Sequence, residues 1–358
     1  MGTLFKYEMR KAFSQKAYWI AIAIMLLVLL ANEMTPIITG NFKPKMETEN
    51  ALSGTVIDDE FLANVQPNET GAEDPITFFI KSSTGSTDVT GHAADELYAR
   101  RTEVNTRLMA DAGISEADLQ WWLNKDKENV APFKYTYCTA YSSYLEIAGY
   151  INFMLLILAA IGLAGIYADE KSSSMDQLIF CTKNGKKKLF SVKLLVGVIM
   201  ALFTALVLVL FEIALLTALF GLGGAETYLQ IVLPPCMMHI NMGQTMIIMS
   251  LFFIMESLIL SIVAMALSQF TMNHVATIAV MIFVMFMAMM NIPEKLGILY
   301  SIWNSIPGST VGSWMFNDYH LIGHLTNLQF VPIMWLLAGA VLVLAARTSY
   351  TRYQVKAR

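Results

Sequence analysis

Two carboxylates stand where a carboxylate is costly. Glu212 and Glu256 interrupt apolar runs long enough to cross a bilayer, and ionisable side chains at such depth are commonly functional. They are candidates for a polar pathway or a cation site; the alternative is that each is protonated or hydrogen-bonded at a helix contact. Beside Glu256, Ser257 and Ser261 belong to a stripe at helical spacing that runs from Ser250 through Ala264 to Ser268. Small residues so spaced suit close helix packing better than a transport path. The run Pro234-Pro235-Cys236-Met237-Met238-His239 carries soft donors suited to Cu(I). With 24 methionines in the chain, many of them in 281–290, methionine serves mainly as adaptable packing, and no metal site is expected.

Motifs of catalysis are missing. There is no His-Glu-x-x-His and no phosphate loop: Gly185-Lys186-Lys187 lacks both the upstream glycine and the hydroxyl that cradle a phosphate. In Gly308-Ser309-Thr310-Val311-Gly312 a threonine takes the place of the serine nucleophile. Neither a catalytic residue nor a bound cofactor is expected, so any driven work draws its energy from another chain.

The segment from Ala168 to Leu189 is the most informative polar stretch. It begins on Asp169 and Glu170, continues through an amphipathic pattern (Met175, Leu178, Ile179), turns at Asn184-Gly185 and ends in a basic run reaching Lys193. A short helix strung between two spans is placed to carry a push from a docked partner into the bilayer. An ordinary loop whose lysines merely obey the positive-inside rule fits the pattern equally well.

The elements that would position these residues follow from the apolar blocks. The chain is 56% hydrophobic and only 15% charged, with a mean hydropathy of +0.52, too apolar for a soluble domain of 358 residues. A hydrocarbon core of about 30 Å needs roughly 20 apolar helical residues. Six spans are expected, near 17–35, 146–168, 191–220, 244–267, 274–291 and 329–346, with Ser268 to His274 as a tight turn between the fourth and fifth. Fourteen of the 15 basic residues outside 36–144 fall before the first span, between Lys171 and Lys193, or after the sixth. Six spans put all three groups on one face, which the positive-inside rule makes the cytoplasm, so both termini are expected there. Residues 36–144 carry 9 basic and 17 acidic residues and fall on the opposite side.

Three units follow: 1–35, with an interfacial helix (Phe5, Met9 and Phe13 on one face) and the first span; 36–144, a mostly helical extracellular domain; and 145–358, spans two to six with the cytoplasmic loop 168–192 and a re-entrant segment 292–328. Within the domain, 92–112 and 115–130 read as helices, with Ser115 as a cap. The sequon Asn68-Glu69-Thr70 matters only in a glycosylating host. Cys138 and Cys236 fall on the same side and could pair, whereas Cys181 is cytoplasmic.

The loop resembles the conserved cytoplasmic loop of the type-2 permease family of ABC transporters, in which an acid ends the second span and a short coupling helix precedes a Thr or Ser, a turn and basic residues. Glu170, Leu178, Thr182, Gly185, Lys188, Lys193 and Leu194 fit it; Ser174 departs from the usual glycine, and Lys183 from a frequent proline, in a Gram-positive style. Phe5-Lys6-Tyr7-Glu8-Met9-Arg10-Lys11, Tyr353-Gln354-Val355-Lys356 and the order of elements are similar as well. The resemblance implies the membrane subunit of an exporter in a bacterial plasma membrane, two copies or two homologues paired, each docked to a cytoplasmic ABC ATPase that holds ATP and magnesium. It places the ATPase contact at Asp169, Glu170, Ser174, Met175, Gln177, Leu178, Thr182, Lys183 and Gly185. Beside the lipid bilayer and these chains no partner is expected, and no nucleic acid. The alternative is a sensing or immunity protein whose extracellular domain binds a peptide and signals without transport.

Overall fold

Apolar side chains at the helical period fold the opening residues as α1 (Gly2–Phe13), with Phe5, Met9 and Phe13 against the core and Glu8 and Ala12 buried. A tight corner leads into α2 (Lys16–Ile38), where the Trp19 indole donates to the Phe13 carbonyl at 2.7 Å. The structure is a computed structural model and describes residues 2–40, 42–64, 74–85, 93–175, 181 and 187–352. The sequon at 68–70 and the closing motif at 353–356 lie outside the described residues.

A helical insert follows: α3 (Phe42–Ala51), α4 (Asp59–Asn64), α5 (Pro75–Thr84), α6 (Ala94–Asp111) and α7 (Glu116–Asp126). Caps set its helix starts. Asp74 accepts from the Thr77 amide at 2.9 Å, and Ser115 accepts from the Asp118 amide at 3.2 Å, as its serine predicts. The chain then enters α8 (Thr139–Glu146), α9 (Ala148–Leu163) and α10 (Gly165–Ser172), and continues as α11 (Lys187–Phe220), α12 (Leu229–Val232), α13 (Met242–Thr271) and α14 (His274–Ala288). After a 3-10 turn (Glu294–Leu296) come α15 (Ile298–Asn304), α16 (Trp314–Asn317) and α17 (Asn327–Arg352). Among the described residues there is no β-strand, only three isolated bridges.

Five helical stretches are long and apolar enough to cross a membrane: Lys16–Ile38, Ala148–Ser172, Lys187–Phe220, Met242–Thr271 and Asn327–Arg352. α13 is the hub, packed on α9, α11 and α17. Ser268 of α13 explains the joint between α9 and α10. Its hydroxyl donates to the Ala164 carbonyl at 2.7 Å and lies 3.2 and 3.3 Å from the Tyr167 and Ala168 amides, entering the backbone ladder where the helix breaks.

The fifth expected span, 274–291, is shorter than the sequence suggested. α14 has 15 residues, about 22 Å of rise against a hydrocarbon core of about 30 Å. Asn291 and Pro293 stop it, since the residue before a proline avoids the helical region. Its last carbonyls are completed from the segment that follows: the Ser309 hydroxyl donates to Ala288 at 2.9 Å and the Trp303 indole to Met290 at 2.8 Å. The expected turn of seven residues between α13 and α14 shrinks to Met272-Asn273, with Asn273 capping α14 at the Ala276 amide.

Candidate functional site

At the end of the bundle where α10 and α11 approach the 168–192 loop, three helices share a buried charge cluster. Each brings a pair at i, i+3: Glu8 and Lys11 on α1, Tyr167 and Glu170 on α10, Phe190 and Lys193 on α11. The Lys193 side chain is fully buried, with its ammonium 2.5 Å from Glu170 Oε1, 4.0 Å from Glu8 Oε2, and donating to the Ile166 carbonyl. It also lies 5.1 Å from the centre of the Tyr167 ring, which stacks on Phe190 and meets Tyr350 of α17. Lys11 approaches Glu170 at 3.5 Å from a partly exposed position and adds little. A buried ammonium is tolerable only with such partners, and removing either sign leaves the other stranded. The cluster therefore fixes α1, the end of α10 and the start of α11 as one body, and Tyr350 brings the end of α17 to the same place.

Asp169 points outward from this body and meets His274 Nδ1 at 3.2 Å, joining α10 to the start of α14. Ser174 and Met175 are exposed beyond it. Ser174 has φ +56, a left-handed conformation that glycine adopts most readily. Gln177, Leu178, Thr182, Lys183 and Gly185 lie outside the described residues. Sequence reasoning did not name Lys193 and Glu8 as site residues, although a lysine just inside an apolar run is itself a signal.

The intramembrane candidates separate. Glu256 is fully buried and its Oε1 accepts the Gly308 amide at 2.5 Å. Its position, fourteen residues into α13, lies about 21 Å from that helix's start, so the segment before α17 reaches deep along the bundle. Asn152 supports the same segment by donating to the Val311 carbonyl at 2.8 Å. Glu212 is equally buried, but neither of its oxygens has a hydrogen-bond partner among the described residues. Ser257 donates to the Ala201 carbonyl at 2.9 Å, and Ser261 is buried between helices. Gly308 has φ +116, and a Cβ there would sit 2.7 Å from Leu156 Cδ1. Gly308→Ala is expected to destabilise the protein by about 1–3 kcal/mol, because the leucine can move but the backbone cannot. Thermal unfolding checks this; Gly312→Ala, where the nearest atom is 3.8 Å away, should leave the transition unchanged.

At the far end the insert is tied to the loops of the bundle. Arg101 pairs with both oxygens of Asp126 at 2.9 and 3.1 Å and donates to the Pro234 and Cys236 carbonyls at 3.1 and 2.6 Å. The Trp122 indole donates to the Tyr319 carbonyl at 2.8 Å, and the Tyr319 hydroxyl to the Pro235 carbonyl at 2.6 Å. Next to it, Asp318 accepts from Ser301, His320 and Asn327 at 2.7 Å each. Burial opposes its charge, but these hydrogen bonds outweigh burial and hold its carboxyl below the usual range. Burial likewise works against a charged His320, yet Asp318 draws its pKa upwards. A half-open cleft of about 480 Å³ lies between α9 and residues 308–314, lined in part by Glu146, Asn152, Phe153, Ser309 and Trp314.

Cys138 and Cys236 do not pair; both are buried free thiols that burial pushes up to about 12. Cys138 packs beside Gly224, whereas Cys236 sits against the Met238 carbonyl, so the bridge the sequence allows is not formed. Among the described residues no group of three or more His, Cys, Asp or Glu could hold a metal ion.

A family model described as ABC-2 family transporter protein matches residues 39–346. No curated protein and no solved structure matches the chain.

Proposed function

The chain belongs to the ABC-2 transporter family, and from that membership we propose that it is the permease subunit of an ATP-driven exporter, working as a pair with a second copy or a homologue. The family makes it a multi-pass membrane protein of permease type. ATP and magnesium belong to a separate cytoplasmic ABC ATPase, and the cargo is a peptide, antibiotic, lipid or other small molecule. In this reading the end holding the charge cluster faces the cytoplasm of a bacterial cell, with both termini there and the acidic insert outside. α14 begins beside Asp169 and residues 292–326 end beside the insert, which supports counting them together as the fifth of six crossings. The exposed apolar faces of α2, α14 and α17 would meet lipid or the second permease.

The observation that carries the reading is the buried cluster of Lys193, Glu170 and Glu8. A thrust applied to residues 172–185 would reach three helices at once, because Glu170 closes α10 and is locked to the other two. Asp169 extends that contact to α14. The test is co-purification from the native host with a tag on this chain. Glu170→Ala together with Met175→Ala is expected to lower recovery of the ATPase several-fold; unchanged recovery and unchanged stimulated turnover would remove the coupling assignment.

A further inference from the structure

α1 and α11 enclose an open groove of about 560 Å³ beside the charge cluster. Its walls are almost wholly apolar: Phe5 on the α1 side; Leu194, Leu195 and Val198 on the α11 side, with Ser191 at the lip. The rim is basic. Lys187 lies one helical turn before Ser191, and Lys188 one turn before Val192, so both belong to the groove's face of α11. Helical side chains lean towards the helix N-terminus, which carries both ammoniums towards the loop end of the groove. Lys6 lies one turn beyond Gly2, which also lines it. All three lysines are exposed, and among the described residues none makes an ion pair, in contrast to Lys11 and Lys193.

We propose that this groove holds an acyl chain of an anionic phospholipid, with the lipid phosphate on Lys6, Lys187 and Lys188. An apolar slot with a cationic rim complements a negatively headed amphiphile at both ends. A zwitterionic lipid matches the slot but not the rim, and a second copy of the same surface would bring lysines against lysines. The assignment to the inner leaflet rests on the orientation proposed above; the complementarity does not. The lipid would lie along α1, the helix that delivers Glu8 to Lys193, so its occupancy would bear directly on the body through which thrust is transmitted.

Native mass spectrometry of the full chain, exchanged in mixed micelles with equal amounts of dioleoyl phosphatidylglycerol and dioleoyl phosphatidylcholine, tests this. The wild type is expected to retain phosphatidylglycerol in about tenfold excess. Lys6→Gln, Lys187→Gln and Lys188→Gln combined should abolish the preference, and Ser191→Trp should displace the retained lipid by filling the slot. Equal retention of both lipids by the wild type overturns the proposal, as does a preference that survives in the triple variant. The three lysines are exposed, so the triple variant decides even if the tryptophan lowers stability. Micelles have no sidedness, so this result stands apart from orientation. Orientation is read separately, by whether a membrane-impermeant maleimide labels the exposed free thiol of Cys181 in intact cells.

Discussion

Lys193→Ala is expected to lower the unfolding free energy by about 3 kcal/mol or more and to abolish stimulation of the partner ATPase. The alanine removes a fully buried ammonium and leaves Glu170 with only the partly exposed Lys11, and Glu8 with no ion-pair partner among the described residues. Two carboxylates then share a space closed to water, and the helices separate to hydrate them. Glu8→Gln and Glu170→Gln together with Lys193→Met separate the structural role from the coupling role. With all three charges gone the triple variant should recover most of the stability, because an apolar replacement of a buried charge cluster is close to neutral. It should not recover stimulated turnover, since the rigid link between α10 and α11 is lost. Fluorescence-detected thermal unfolding in detergent and ATP hydrolysis by the reconstituted complex read the two effects. A melting temperature and turnover both unmoved by Lys193→Ala would show that the cluster carries neither.

Arg101→Ala should have an effect of comparable size at the opposite end. The guanidinium neutralises Asp126 and donates to two loop carbonyls; its loss strands the buried carboxylate charge and the Cys236 carbonyl, while Pro234 keeps the Asn105 amide, at a cost of about 3–5 kcal/mol. The loss should be local. Hydrogen exchange in α6 and α7 and in residues 233–238 is expected to accelerate together, while α9, α11 and α13 keep their protection. Arg107→Ala, which breaks an exposed pair with Glu103 on the same helix, should change stability by about 0.5 kcal/mol or less. Acceleration in α6 alone would show that Arg101 does not tie the insert to the loop.

How far the sequence could lead is visible residue by residue. Span positions were legible because each apolar block is long enough to be unambiguous, and the ends of α9 to α11 and α13 lie near their expected places. Ser115 announced the start of α7 through local chemistry. What escaped was long-range. Lys193 meets Glu8 across 185 residues, and nothing in either neighbourhood names the other. For Glu256 the sequence leaves two readings open, a pathway residue or a carboxyl hydrogen-bonded at a helix contact, because a carboxylate in an apolar run fits either. Its partner is a backbone amide at Gly308, and amides leave no trace in a sequence beyond the glycine that lets the chain approach. The shortness of α14 was hidden because Met289, Met290 and Ile292 continue the apolar run while Pro293 quietly ends the helix. Ser268 was legible as one of a stripe of small residues, but not as the hydroxyl that enters the joint of α9 and α10.

The account stands on thrust entering at the 168–192 loop and leaving as movement of a molecule across the bilayer. Inside-out vesicles holding this chain with its ATPase, incubated in host extract and analysed by mass spectrometry, address that directly. The account predicts at least one compound enriched inside in an ATP-dependent manner, with the enrichment lost in Lys193→Ala vesicles. Binding of a peptide to the insert without ATP-dependent enrichment of anything would contradict it and favour a sensor.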